Sequence, residues 1–304
     1  MNTRHTSPPA ARLALAFVLA AVPAMAAAIQ DTQDARETQI KPAASSPWTP
    51  SRTPDGQPDV QGFWVAADSG TYDLADPKTG GARLDELLSG NKRAAKPSRI
   101  VDPADGKVPY QAWALAKQKE IEKHVDDPTR PEHIDTQARC LPGGVPRTTF
   151  HSQFRILQPP GFVILLHENN HTWRVIPLDG RPHAGPNTKL WMGDSRGHWD
   201  GTTLIVDVTN LNGKARFDMI GDFASDAVHI TETWRFADAK TVSYEVHVED
   251  ASVYTRPWTI VSKLKRRDNG PGYELWEDAC HEGERSADEM IRRAAPKKTS
   301  RSSN

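Results

Sequence analysis

Beyond Cys140 the chain is cut into short β-prone runs by closely spaced turn signals, and few folds accept such a series. Phe154–Leu157, Phe162–His167, Thr172–Pro177, Leu190–Gly193, Thr203–Thr209, Val228–Phe236, Thr241–Glu249, Pro257–Leu264 and Tyr273–Glu277 all read as strands. Asn169-Asn170 and Trp199-Asp-Gly201 supply hairpin turns that tolerate positive φ. The fold class expected is therefore mainly β, an antiparallel meander closing into a barrel or a curved clam. One accessory helix is expected over Tyr110–His124, inside an insertion spanning about 108–126. Its stripe of Trp113, Ala114, Lys117, Ile121 and His124 ends at Asp126-Asp127-Pro128. The chain has neither βαβ alternation nor a Gly-rich phosphate loop, which argues against nucleotide binding.

Side chains of a strand alternate between its two faces, so faces can be assigned. In the run from Val228, one face carries Val228, Ile230, Glu232, Trp234 and Phe236, and the other His229, Thr231, Thr233 and Arg235. Glu232 is thus a carboxylate on an apolar face. Glu277 shares a face with Tyr273 and Leu275 and is a second inward candidate, whereas Glu245 and His247 face solvent. A buried carboxylate requires a hydrogen-bonded partner or a raised pKa. The functional reading makes Glu232 or Glu277 a general acid or base paired with His183, His229 or His281. The structural reading, the commoner use of such a group, pairs it with Arg174, Arg181 or Arg235 in a salt bridge.

The N-terminus reads as an export leader. Arg4, His5 and Arg12 form a basic region, Leu13–Ala20 and the following residues form a short apolar stretch, and Ala24-Met25-Ala26 fits signal peptidase. Residues 1–26 are expected to be removed, an uncleaved anchor being the alternative, and the mature protein to be periplasmic or secreted without stable membrane insertion. Residues 27–56 read as a Pro-rich linker, 57–288 as a single β-domain and 289–304 as a disordered basic tail. The formal net charge of −1 leaves no electrostatic footprint for nucleic acid. Cys140 and Cys280 are the only cysteines. In an oxidising compartment they read most simply as a disulfide tying the start of the core to its last strand, worth about 5 kcal/mol in the loop-entropy account. A reactive thiol or metal pair is the alternative.

The densest polar stretch is Asp179-Gly-Arg-Pro-His183, then Gly193-Asp-Ser-Arg-Gly-His-Trp-Asp-Gly201, then Thr203–Asp207. It reads as a hairpin carrying a polar site. His183, Asp194, Glu232 and His281 are the expected catalytic set, and Arg181, Trp191, Trp234, Tyr244 and Trp258 the expected ligand-binding set. Ser195 resembles the centre of a GxSxG elbow only superficially and reads as a turn residue. A metal site of His183, His281 and Glu282 lacks the usual ligand spacings, so neither metal nor cofactor is expected. His124, His133, His151 and His167 read as surface or core histidines. Nine tryptophans fill a core or line a mouth.

Gly62-Phe-Trp64 before an antiparallel meander resembles the Gly-x-Trp opening of lipocalin-like barrels. Pro58–Trp64, Arg139-Cys-Leu-Pro-Gly-Gly-Val-Pro-Arg147, Asp179–His183, Gly193–Gly201, Thr255–Trp258 and Cys280-His-Glu282 together resemble a family of exported bacterial β-rich proteins. That resemblance spans about residues 54–285. It implies a secreted β-rich domain and carries no activity or catalytic residue with it. Two functions follow from the residues. One is a cofactor-independent acid/base enzyme, a lyase, hydrolase or isomerase, acting on a small aromatic, terpenoid or glycosidic molecule in a barrel pocket. The other is a carrier with the same cup and no turnover. In the enzyme the four expected catalytic residues meet in one pocket, whereas in the carrier they scatter.

Overall fold

A computed structural model describes residues 48–67, 72–75, 98–276, 278, 280, 289 and 292 of the chain. The expected leader and most of the expected linker lie outside the described residues, as do Glu277, His281 and Glu282. The described end of the linker, from Trp48, is built into the domain. Trp48 packs on the core, Thr53 is buried, and Arg52 bridges Pro58. Of the expected tail, Glu289 and Arg292 are described, and both have helical backbone.

Among the described residues, ten strands form one antiparallel sheet: β1 Gly62–Ala66, β2 Ile100–Asp102, β3 Phe154–Leu157, β4 Phe162–His167, β5 Trp173–Pro177, β6 Asp194–Asp200, β7 Thr203–Thr209, β8 His229–Phe236, β9 Thr241–Glu249 and β10 Trp258–Arg267. The ladder order is β5-β4-β3-β1-β10-β9-β8-β7-β6, and β2 pairs with β10 beside β1. The hairpins β3-β4-β5 and the meander β6 to β10 are thus joined through the N-terminal strand β1. Helix α1, Ala112–Lys123, occupies the expected insertion, and a short helix α2, Arg147–His151, precedes β3.

The terminal strands β5 and β6 meet through side chains, so the sheet curls into a nearly closed barrel. At this seam Gly197 of β6 is the enabling residue. A Cβ there would lie 2.7 Å from Cγ2 of Ile176 and 2.9 Å from Cδ2 of Leu178. The stretch 194–200, read from sequence as part of a hairpin with Ser195 and Trp199-Asp200 in turns, is strand throughout. Its glycine is required by a close approach, and Ser195 is a buried inward residue of β6 rather than a turn residue. The tight turn follows at Gly201 (φ 58°), with Asp200 opposite Thr203.

Elsewhere the expected strands stand nearly as read, with two exceptions. Leu190 makes only an isolated bridge to Leu211, and Tyr273–Trp276 are not in a strand. Cys140 and Cys280 form a disulfide, Cα atoms 5.5 Å apart, that fastens this C-terminal segment to the residues before α2.

Alternation along the strands sends Trp64, Phe154, Ile156, Val163, Leu165, Ile176, Leu204, Val206, Trp234, Phe236, Tyr244, Val246, Trp258 and Ile260 into one continuous core. Phe154 meets Trp234 edge-on, Trp234 meets Tyr244 at 4.5 Å, and Phe150 of α2 closes on Tyr244 at 5.5 Å. Each such side chain contributes about 1.5–3 kcal/mol by leaving water. The interior is a packed core.

Gly197→Ala should cost about 1–3 kcal/mol in urea unfolding, because the methyl group has no room between β5 and β6. The same substitution at Gly161, where nothing lies within 4 Å of the added atom, should cost less and act only through its φ of 78°.

Candidate functional site

The loop from β5 to β6 carries the Asp179–His183 motif and is clamped down at two points. Arg196 of β6 donates from Nε to the carbonyls of Arg181 and Pro182, both at 3.1 Å, and from Nη2 to Pro182 at 2.8 Å. Asn210, in the left-handed conformation after β7 (φ 59°), donates its amide to the carbonyls of Ala184 and Gly185, both at 3.0 Å. His183 sits between these clamps. Arg181 lies on the exposed side, paired with Asp179 at 2.5 Å.

The His183 ring touches two carboxylates. Nδ1 lies 3.1 Å from Oδ2 of Asp194, and Nε2 lies 2.8 Å from Oδ2 of Asp207. The other oxygen of Asp207 receives Nε2 of His229, whose Nδ1 lies 3.2 Å from Oε2 of Glu249. Asp194, His183, Asp207, His229 and Glu249 therefore alternate carboxylate and imidazole in one unbroken chain over the outer face of β6 to β9. Register explains how they meet. His229 pairs directly with Glu249, and Asp207 faces Thr231, one outward position further along β8. Asp194 also accepts from the backbone N–H of Ala184 at 2.7 Å and from Arg196 at 2.5 Å.

Electrostatics within the chain are consistent. Partial burial works against charge on Asp194, but the Ala184 N–H, Arg196 and His183 outweigh it and hold the carboxyl below its ordinary pKa. Partial burial is likewise outweighed at Asp207, by hydrogen bonds from His229 and His183. His229 is disfavoured as a cation by burial, yet Asp207 and Glu249 raise its pKa above the ordinary imidazole value. Carboxylates only accept, so an imidazole facing one at each nitrogen makes both hydrogen bonds only as the cation.

The expected site residues divide between two faces of the sheet. His183 and Asp194 are brought together. Glu232 points inward from β8, opposite in sense to His229, and is fully buried in a bidentate pair with Arg174 at 3.0 and 2.5 Å. Arg174 also donates to Ser195 at 2.9 Å, and the Tyr244 hydroxyl donates to Glu232. Glu232 thus takes the structural alternative. Trp234, Tyr244 and Trp258 are core residues, Trp191 is half-buried ahead of β6, and His281 lies outside the described residues. Buried His167 has no hydrogen-bond partner at either nitrogen; burial, and then the charge of Arg174, lower its pKa to about 3, so the ring is neutral.

Asp207, Glu249 and Arg196 were not among the expected site residues. Period-2 alternation marks Asp207 and Glu249 as outward, but their meeting depends on a β7–β8 register that a long connection conceals.

A second carboxylate cluster lies in that connection. Asp218 accepts from the backbone N–H groups of Leu74, Gly221 and Asp222 at 3.1, 3.0 and 2.9 Å, which fixes the loop. Burial raises its pKa well above the ordinary value, and burial raises that of Asp222 to about 6.

No known family matches the chain, and no curated protein or solved structure shows significant similarity to it.

The sign of the shifts fixes a pH dependence. The contribution of His229 is full below the unfolded imidazole pKa of about 6.5 and is lost as pH rises through its higher folded value. That of Asp194 and Asp207 is full above about 4 and is lost as pH falls through their lower folded values. His229→Gln should therefore destabilise the protein more at pH 6 than at pH 9, as measured by urea unfolding at the two pH values. An equal loss at both would mean that His229 is not held as a cation.

Proposed function

We propose that this protein is an exported acid/base enzyme whose working groups are His183, Asp207 and His229 on the outer face of the barrel. The observation that carries the reading is the alternating chain from Asp194 to Glu249, in which one carboxylate, Asp207, bridges two imidazoles. Once Asp207 turns away from one imidazole, that ring can give up its proton and serve as base while the other, still held between two carboxylates, serves as acid, as lyase, isomerase and hydrolase chemistry requires. Asp194 orients His183 from behind at Nδ1, and Glu249 does the same for His229. Asp207 is itself half exposed, so a turn of its side chain frees either Nε2 for a substrate. Such chemistry needs no cofactor.

Export is supported by the leader-like N-terminus and the disulfide. Among the described residues, no helix is long and apolar enough to cross a membrane.

The packed interior moves the site from the expected barrel cup to the surface. A shallow recess of about 20 Å³, lined by Val145, Leu211, Ala215, Phe217, Ala224 and Val228, offers a small apolar wall with room for little more than one water molecule. Val228 immediately precedes His229 but points inward, to the opposite face, and the recess borders the His183 loop only through Leu211, which follows Asn210. A small molecule that lies on the outer face and presents one polar reacting group to the imidazoles suits this arrangement. The second reading, a carrier that holds such a molecule without turnover, makes no use of the proton-exchanging groups.

A thermal-shift screen of the mature protein against small aromatic, terpenoid and glycoside compounds, with product analysis of each hit, separates the two. Conversion by the wild type that falls by about 10²–10⁴ in His183→Ala and His229→Ala, with folding retained, is the expected result. Hits recovered intact from every protein would establish the carrier.

A further inference from the structure

A second histidine–carboxylate cluster lies at the C-terminal end of α1, apart from the chain described above. Glu120 lies in the last turn of α1, and His124, four residues on, is the residue that caps the helix C-terminus. His133, from the 3₁₀ turn Pro131–His133, lays its ring over that of His124, with centroids 4.4 Å apart and planes within 7°. Nε2 of His133 is 2.8 Å from Oε1 of Glu120. One ligand-capable atom from each of the three side chains lies within 4.8 Å of the other two.

The geometry points to a binding site for a divalent transition-metal ion of the zinc class, held by Glu120, His124 and His133 with its remaining coordination open to water. Two imidazoles and one carboxylate form a donor set that suits zinc. Zinc ligands at about 2.0–2.1 Å in tetrahedral array stand about 3.3 Å apart, and each imidazole binds through a lone pair in its own plane, so the ion requires the His133–Glu120 contact to spread slightly and the His124 ring to swing out of its parallel stack on His133.

The surroundings complete the site. Nδ1 of His124 is 3.3 Å from the carbonyl of Asp127, which accepts its proton and leaves Nε2 with a lone pair. Oε2 of Glu120 is held by Arg130 at 2.8 Å, leaving Oε1 for the ion. Thr129 offers Nδ1 of His133 either of two partners, its backbone N–H at 3.1 Å or its hydroxyl oxygen at 3.2 Å. Without an ion, the N–H donates to Nδ1 and the proton on Nε2 goes to Glu120. With an ion, the proton resides on Nδ1 and is donated to the Thr129 hydroxyl, while the Nε2 lone pair binds the metal. The ring keeps one proton in both states. A purely structural role accounts for Glu120, His133 and Arg130 as an ion-pair group. It leaves unexplained the half-buried His124 ring stacked beside them, which supplies the third ligand.

Isothermal titration of chelator-treated mature protein with zinc chloride tests the site. The wild type should bind one equivalent. His124→Ala and Glu120→Gln should each weaken binding about 100-fold or more, more than loss of an outer-shell partner typically does, with far-UV circular dichroism unchanged. His183→Ala should bind as the wild type does. Cobalt(II) should give visible ligand-field bands in the wild type and lose them in His124→Ala. Absence of stoichiometric binding at up to millimolar zinc would overturn the assignment. So would full affinity in both α1 variants, or loss of binding in His183→Ala.

Discussion

The buried pair of Arg174 and Glu232 is the interaction on which the architecture rests. A sheet that closes through side chains lacks a backbone ladder along one line, and here that line runs between β5 and β6. Arg174 projects inward from β5 at this seam, reaches Ser195 on β6 and grips Glu232 on β8, so three strands are fastened by one guanidinium. Burying two charges is costly, and the arrangement offsets that cost with a bidentate geometry plus the Tyr244 and Ser195 hydroxyls. Burial disfavours the charge on Arg174, and Glu232 more than restores it, holding the pKa above its usual value. Burial and the neighbouring Glu232 charge push Tyr244 well above its own, so its hydroxyl stays a donor.

This closure leaves the proposed chemistry to the outer face. Among the described residues, aromatic side chains pack around the ion pair, and the histidines and carboxylates of the outer chain lie on the opposite face of the same strands. Alternation makes one strand serve both purposes: β8 sends Glu232 to the seam network and His229 to the outer chain. Rigidity at the seam also positions the loop that carries His183, because Arg196, which clamps that loop, is the neighbour of Ser195.

The strands were legible in the sequence because most are bounded by turn residues and alternate cleanly. The inward placement of Glu232 followed from that alternation, whereas Arg174 was one of three arginines that could have paired with it. Strand β6 was not legible. Its Gly, Asp and Ser residues carry turn propensity, and only the proximity of Ile176 and Leu178 shows why Gly197 belongs in a strand. The outer chain was half legible: His183 and Asp194 stand in one motif, but Asp207, His229 and Glu249 join them only through registers set by tertiary packing. The β1 insertion between β3 and β10 was likewise invisible, since adjacency along the chain favours a simple meander.

The most direct measurement is a double-mutant cycle at the seam, with Arg174→Met, Glu232→Leu and the combined variant compared to wild type by urea unfolding. Each single variant leaves a buried charge without its partner and should lose about 3–5 kcal/mol. The double variant, with both charges replaced by apolar groups of similar size, should return to within about 1 kcal/mol of wild type. Losses that simply add in the double variant would contradict the account, because the two side chains would then not act as the single clasp that closes the barrel.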